Sequence, residues 1–157
     1  IADEPVTALD VMIQAQILEL LERLKRELDL SMILISHDLS VMAETCDRVA
    51  IMYAGRKMEY GPTVDVFTDP KHPYTQGLVG AFPDIRGTRK IPESIPGAVP
   101  SLINPPTGCV FHPRCKFAFE RCPTHEPSPT SVGGREVACF LYPEVQEVNP
   151  RLAEAKR

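Results

Sequence analysis

No apolar run in this sequence approaches the roughly 20 residues that a helix needs to cross a bilayer. No segment has the charged, apolar and small-residue pattern of a secretory signal peptide. Any association with a membrane is therefore expected to come through a partner. Positive charge is not in excess either: 17 Lys and Arg stand against 21 Asp and Glu, a net charge of -4. That gives no support to a nucleic acid held on a broad basic surface. There is no internal repeat, no low-complexity tract and, despite five cysteines, no C-x2-C pair. The spacing of a common zinc ribbon is thus missing.

What is present is globular in composition, with 43% hydrophobic and 24% charged residues in 157. This length suits one ordinary domain, or part of a domain with a small appendage. Four of the five cysteines and most of the 16 prolines fall after residue 80. The shift in composition marks two regions, with a boundary expected near residues 83 to 90. The first residues, Ile1-Ala2-Asp3-Glu4-Pro5, lack an initial Met and read as the end of a buried strand. A natural domain rarely starts there, so the chain is expected to be a piece of a longer protein.

From Val11 to Leu28, Ile13, Ile17, Leu20, Leu21, Leu24 and Leu28 recur at helical spacing with charged residues between them. This predicts an amphipathic helix with one buried stripe, capped by Asp10 and stopped near Asp29. Ser31 to Ile35 reads as a strand buried on both faces. Leu39 to Cys46 reads as a short helix and Arg48 to Tyr53 as another strand. Ala54-Gly55 is expected to turn into a return strand over Lys57 to Tyr60, ended by Gly61-Pro62. Thr63 is expected to cap a brief helix through Phe67, and Tyr74 to Ala81 to form another. The alternation of strands and helices predicts an α/β sheet with short crossovers. Past Phe82-Pro83 no segment holds a period for long, which predicts an irregular, Cys-rich extension.

Asp3-Glu4 and His37 each follow a strand end, which is where open α/β sheets bind ligands. If the two strands are neighbours, about 4.8 Å apart, both sites face one ligand. An Asp there can hold Mg²⁺, a neighbouring Glu can orient and deprotonate an attacking water, and a His can hydrogen-bond a terminal phosphoryl oxygen. Taken singly, each is as readily a solvated turn or a helix cap.

The string Asp3-Glu4-Pro5, Thr7-Ala8-Leu9-Asp10 and Ile35-Ser36-His37-Asp38 resembles the ABC ATPase family. By that resemblance Asp3 and Glu4 end the Walker B motif, with Glu4 catalytic and Asp3 on Mg²⁺. Thr7 to Asp10 is the D-loop, which meets the opposing subunit around ATP, and His37 is the switch histidine at the γ-phosphate, catalytic together with Glu4. The implied nucleotide-contacting residues are Asp3, Asp10 and His37. The 27-residue spacing from Asp10 to His37 fits one helix plus one strand. Val49 to Gly55 and Gly61-Pro62 look like the strand and hairpin that follow that histidine. Val6 departs from the family's usual Ser or Thr. No GxxxxGK[ST] loop and no LSGGQ-like signature is present, so this chain alone is expected to bind ATP poorly and to be inactive. The expected fold is the C-terminal part of a P-loop NTPase core at residues 1–83, followed at 84–157 by the extension.

Cys109, Cys115, Cys122 and Cys139 are spaced C-x5-C-x6-C-x16-C. Four thiolates can bind Zn²⁺ or an iron–sulfur cluster, with Gly108, Pro113, Pro123 and Gly133-Gly134 as turns. Separate buried thiols and disulfides are the alternatives, the latter disfavoured for an ATPase facing a reducing cytosol. Cys46 reads as a buried thiol outside the group. His72-Pro73-Tyr74-Thr75, Ile95-Pro96-Gly97, Pro105-Pro106 and the Cys-containing tail resemble the C-terminal extension of oligopeptide and dipeptide importer ATPases. That likeness implies a [4Fe–4S] cluster at the four cysteines, with zinc as the alternative. His72 reads as the residue that starts a helix. The resemblance as a whole implies a transport ATPase that dimerises with itself or a relative. It would dock on permease subunits at the cytoplasmic face of the plasma (inner) membrane, with a substrate-binding protein as indirect partner and no nucleic acid. An importer of nickel or another small solute, and a non-transport ABC ATPase with a regulatory metal module, are the alternatives.

Overall fold

A computed structural model of the chain describes residues 1–81 and 95–142. The chain forms two compact units, Ile1–Val49 and Ala50–Arg157. The boundary expected near residues 83 to 90 lies outside the described residues.

In the first unit, β1 (Ala2–Asp3) and β2 (Leu34–Ile35) pair in parallel, joined through α1 (Val11–Glu27). Parallel neighbours need such a crossover. Asp10 caps α1 as expected, its Oδ1 accepting from the amides of Met12 and Ile13 at 3.0 Å each. The helix ends where Asp29 turns left-handed (φ 50°) and the Leu30 amide reaches back to the Lys25 carbonyl at 2.9 Å. α2 (Leu39–Thr45) follows, capped by Asp38. Two expectations are corrected. No residue of α1 is buried, and Ile35 is 47% exposed. The periodicity located the helix and its apolar stripe, but burial needs a facing layer.

The second unit is built on an antiparallel frame. β3 (Arg48–Tyr53), in which the boundary between the units falls, alternates exposed and buried residues. Its inward set is Val49, Ile51 and Tyr53. Ala54 and Gly55, both at positive φ (46° and 77°), make the two-residue turn into β4 (Arg56–Pro62). α3 (Thr63–Thr68) and α4 (Pro73–Gly80) follow. Thr63 lies inside α3 with Pro62 at the cap position, so its expected capping role is corrected. His72 starts α4, its Nδ1 accepting the Tyr74 amide at 3.0 Å.

The predicted single α/β sheet is also corrected. β3 stands in a four-stranded sheet of order β3-β4-β6-β5, separate from β1 and β2. Its other two strands come from the region expected to be irregular. β5 (Thr130–Val132) and β6 (Arg135–Val137) form a hairpin about Gly133-Gly134. β6 pairs with β4, placing Glu59 opposite Val137 and Tyr60 opposite Glu136. Three-residue strands carry too few positions for a period to be visible, and β4, which β6 pairs with, lies some 75 residues away in sequence.

The core of this unit joins the hairpin to the cysteine segment: Tyr53, Met58, Cys109, Val110, Phe111 and Cys122 pack together. Tyr53, Tyr74 and Phe111 form an aromatic triangle with centroids 4.6 to 5.3 Å apart. The Cys109 amide donates to the Cys122 carbonyl at 2.8 Å, which closes the cysteine loop. Gly108 permits that approach. Its φ is +68°, and a Cβ there would stand 2.4 Å from the Cys122 carbonyl oxygen and 2.6 Å from the Pro123 carbonyl carbon. Backbone atoms cannot swing aside as a side chain can. Gly108→Ala is therefore expected to cost about 1–3 kcal/mol, read as a lowered urea midpoint. An unchanged midpoint would show that the loop does not need this close contact.

Beneath the sheet lies an ion pair. Glu59 is fully buried and Arg135 is 4% exposed, with 3.6 Å between Oε1 and Nη1. Glu59 also accepts from the backbone amides of Lys71 (3.1 Å) and His72 (2.9 Å). Arg135 donates to the carbonyls of Asp65 (2.8 Å) and Asp69 (2.6 Å) and to the Asp69 carboxylate (3.2 Å). The pair ties β4, the segment after α3 and β6 together.

Candidate functional site

Two clusters carry chemistry, one in each unit. In the first, the parallel register sets Asp3 beside Ile35, and the Glu4 amide donates to the Ile35 carbonyl at 2.8 Å. The two strand ends are therefore neighbours, which brings Glu4 and His37 into contact. His37 Nδ1 lies 2.9 and 3.0 Å from the two Glu4 carboxylate oxygens. The Thr7 hydroxyl donates to Glu4 Oε2 at 2.5 Å. Glu4 adopts a left-handed backbone (φ 48°), as does Ala8 (φ 61°), conformations that cost energy for any residue with a Cβ. The turn from Pro5 to Leu9 thus folds back on the strand end and aims Thr7 at Glu4.

These contacts polarise the pair. The Thr7 hydroxyl first, then the His37 ring, hold the Glu4 carboxyl below its ordinary range. Glu4 in turn raises the pKa of His37, through the hydrogen bond and its charge. The carboxyl is thus ionised at neutral pH and ready to accept a proton or orient a water. A lowered pKa makes it a weaker base, so orientation is the larger part of what it offers here. Asp3, at the end of β1, is exposed. The Asp10 carboxylate caps the start of α1.

In the second unit, Cys109, Cys115, Cys122 and Cys139 line one small, largely enclosed cavity, with Phe111, Phe117, Phe119 and Phe140 among the apolar walls. None of the five cysteines is in a disulfide. Burial pushes the thiols of Cys109, Cys115 and Cys139 up, Cys139 to about 11. Among the described residues, no group of three or more His, Cys, Asp or Glu side chains is placed to hold a metal ion. A single zinc ion, with Zn–S of about 2.3 Å, would draw four sulfurs to about 3.8 Å from one another. Neither the iron–sulfur nor the zinc expectation finds support in this arrangement, although the four side chains line one cavity.

His72 also lines this cavity. It is 1% exposed, and its Nε2 has no hydrogen-bond partner. Burial lowers its pKa to about 4, opposed by the Ala138 backbone, which makes no geometric hydrogen bond to it. The sequence reading missed this second face of His72. It also missed Thr7 as a holder of Glu4, and the Glu59–Arg135 pair. For Thr7 the signal was available, since a hydroxyl three residues past the acid can reach back across a turn.

Comparison with known proteins gives the relatives of this chain. Residues 58–122 match the family model described as the oligopeptide/dipeptide transporter, C-terminal region. The dipeptide transport ATP-binding protein DppD of Caldanaerobacter subterraneus is 45% identical over 145 residues, 92% of this chain and 44% of that protein. Its namesake in Haemophilus influenzae is 47% identical over 150 residues, 96% of this chain and 45% of the relative. The oligopeptide transport ATP-binding protein OppD of Escherichia coli is 51% identical over 140 residues, 89% of this chain and 42% of the relative. The chain thus spans less than half the length of these curated relatives. Among the described residues, no helix is long and apolar enough to cross a membrane. By these matches residues 58–122 are similar to the oligopeptide/dipeptide transporter C-terminal region, within a chain that is similar over most of its length to dipeptide and oligopeptide transport ATP-binding proteins.

Proposed function

We propose that the protein carrying this chain hydrolyses ATP to drive peptide import through membrane permease subunits. The observation that carries this reading is the contact between Glu4 and His37 across paired strand ends. An ionised carboxylate that can orient water then lies beside a ring that can meet a phosphoryl oxygen. In this reading Asp3 holds Mg²⁺, Glu4 orients the attacking water and His37 meets the γ-phosphate. Asp10 shapes the loop toward a second ATPase subunit. Bound Mg²⁺ would neutralise charge on the phosphates. The protein would sit at the cytoplasmic face of the inner membrane, with a substrate-binding protein delivering the solute. Peptides are favoured over nickel or another small solute by the match over residues 58–122 and by the relatives' printed functions. The test is uptake of a labelled dipeptide or oligopeptide into vesicles holding the full-length protein and its permeases. ATP-dependent uptake of nickel alone would overturn the peptide assignment.

The same reading places a [4Fe–4S] cluster at Cys109, Cys115, Cys122 and Cys139. Its support is the lining of one apolar cavity by all four cysteines. Buried thiols with raised pKa values ionise only against a strong compensating charge, which bound iron supplies. Such a group would also staple a segment with little periodic core. Anaerobic purification is expected to yield a coloured protein with iron and acid-labile sulfide. A colourless, folded, metal-free protein would sink this assignment.

A further inference from the structure

The Glu4 carboxylate has two oxygens, and the fold treats them differently. Oε2 accepts the Thr7 hydroxyl at 2.5 Å and lies 3.0 Å from His37 Nδ1. Among the described residues, the hydrogen bond at Oε1 is the one to His37, at 2.9 Å. A carboxylate offers about four acceptor sites, so Oε1 keeps the more open side toward a water.

The two holders of Glu4 are themselves held unequally. His37 follows a two-residue strand, and its side chain is 77% exposed. In the reading above that ring also has to meet a phosphoryl oxygen, so it serves two partners. Thr7 sits on a turn tied at several points. Its amide donates to the Glu4 carbonyl at 3.2 Å, and the Leu9 amide donates to the Val6 carbonyl at 3.4 Å. Val6 is buried and anchors the turn inward. From α1, Gln14 Nε2 donates to the carbonyls of Val6 (3.3 Å) and Leu9 (3.2 Å). Strained backbones such as those of Glu4 and Ala8 persist only where the surroundings impose them. The same loop is the one that the reading sends toward a second subunit. A hydroxyl has one proton to give, and Thr7 spends it on Glu4 of its own chain.

We propose that Thr7 is a positioning residue for ATP hydrolysis: its hydroxyl fixes Oε2 of Glu4 within the same chain, so that Oε1 is the oxygen that orients the attacking water. The inference rests on the reading of Glu4 given above. Thr7 touches neither nucleotide nor water in this assignment and acts through Glu4 alone. Without it the carboxylate keeps its charge but turns freely about its last side-chain bond, a torsion with broad preferences. A misplacement of about 1 Å at a reacting group costs about 100-fold in rate.

The test uses the full-length protein in wild-type, Thr7→Val, Thr7→Ser and Glu4→Gln forms, with Thr7→Val also placed in the Glu4→Gln background. Single-turnover ATP hydrolysis and equilibrium nucleotide binding are measured on each. Val matches the shape of Thr and removes the hydroxyl. Thr7→Val is expected to slow hydrolysis about 10-fold or more with nucleotide affinity unchanged. Thr7→Ser keeps the O–H and should recover most of that loss. A role in packing alone would give the opposite order, since Val keeps the branched shape that Ser lacks. In the Glu4→Gln background Thr7→Val should add little, because the group it positions has already lost its function. Wild-type hydrolysis in Thr7→Val, Ser as slow as Val, or a full Thr7→Val effect on top of Glu4→Gln would overturn the role of Thr7 and leave the reading of Glu4 standing. Unchanged hydrolysis in Glu4→Gln would overturn that reading and this inference with it.

Discussion

Glu4→Gln in the full-length protein is expected to slow ATP hydrolysis by about 10²–10⁴-fold while nucleotide still binds. The amide keeps the size of the side chain and a carbonyl oxygen for Thr7, whose hydroxyl donates at 2.5 Å. It loses the negative charge that faces His37 at 2.9 Å and that would align and accept a proton from water. The loss should therefore fall on the turnover number more than on nucleotide affinity. His37→Ala removes the other half of the pair and should also slow turnover, with Glu4 no longer steered by the ring. Steady-state phosphate release and equilibrium nucleotide binding separate these effects. Unchanged hydrolysis in Glu4→Gln would remove Glu4 as the water-orienting group.

Arg135→Met is expected to destabilise the second unit by about 3–5 kcal/mol, because it strands a buried charge. Glu59 is fully buried, and with Arg135 gone its carboxylate would keep only the amides of Lys71 and His72. Met preserves much of the stem that fills the space beside Gly61, where a Cβ would stand 2.4 Å from Arg135 Cγ. The effect therefore reports charge more than packing. Adding Glu59→Gln should restore part of the loss, since the remaining partner no longer carries charge. Urea unfolding followed by tyrosine emission suits the measurement. The chain has no Trp, and its Tyr residues, 53, 60, 74 and 142, all lie in the second unit. Lys71 first, then Arg135, hold the Asp69 carboxyl below its ordinary value of 3.8. Its contribution is present above that value and is lost as pH falls through the lower folded value, so a comparison at pH 7 has it at full strength. Equal midpoints for wild type and Arg135→Met would show that the pair is not holding the strands together.

Much of the local structure was legible because its causes are local. Asp10 and Asp38 sit directly before apolar-periodic segments and cap them. Ala54-Gly55 separates two strand-like runs and makes the predicted turn. The motif series from Asp3 to His37 picked out two residues, Glu4 and His37, that the fold brings into contact at neighbouring strand ends. The misreadings share one cause. Burial of α1 and β2 was inferred from apolar pattern, but burial depends on what lies opposite. β5 and β6 were missed because a three-residue strand leaves almost no pattern, and β6 is recognisable only through its pairing with β4.

The sequence alone determined which residues can do chemistry: a carboxylate pair and a histidine at two strand ends, and four cysteines in one Pro-rich segment. It did so because residue type, spacing and turn propensity act over a few neighbours. The tertiary structure decided which of them meet. Parallel pairing of β1 with β2 set Glu4 against His37. Packing of the cysteine loop on the β3–β4 hairpin gathered four thiols around one cavity and buried His72 beside them. Glu4 and His37 are 33 positions apart in sequence, and His72 and Cys109 are 37. Only the balance of burial, hydrogen bonding and charge over the folded chain selects them.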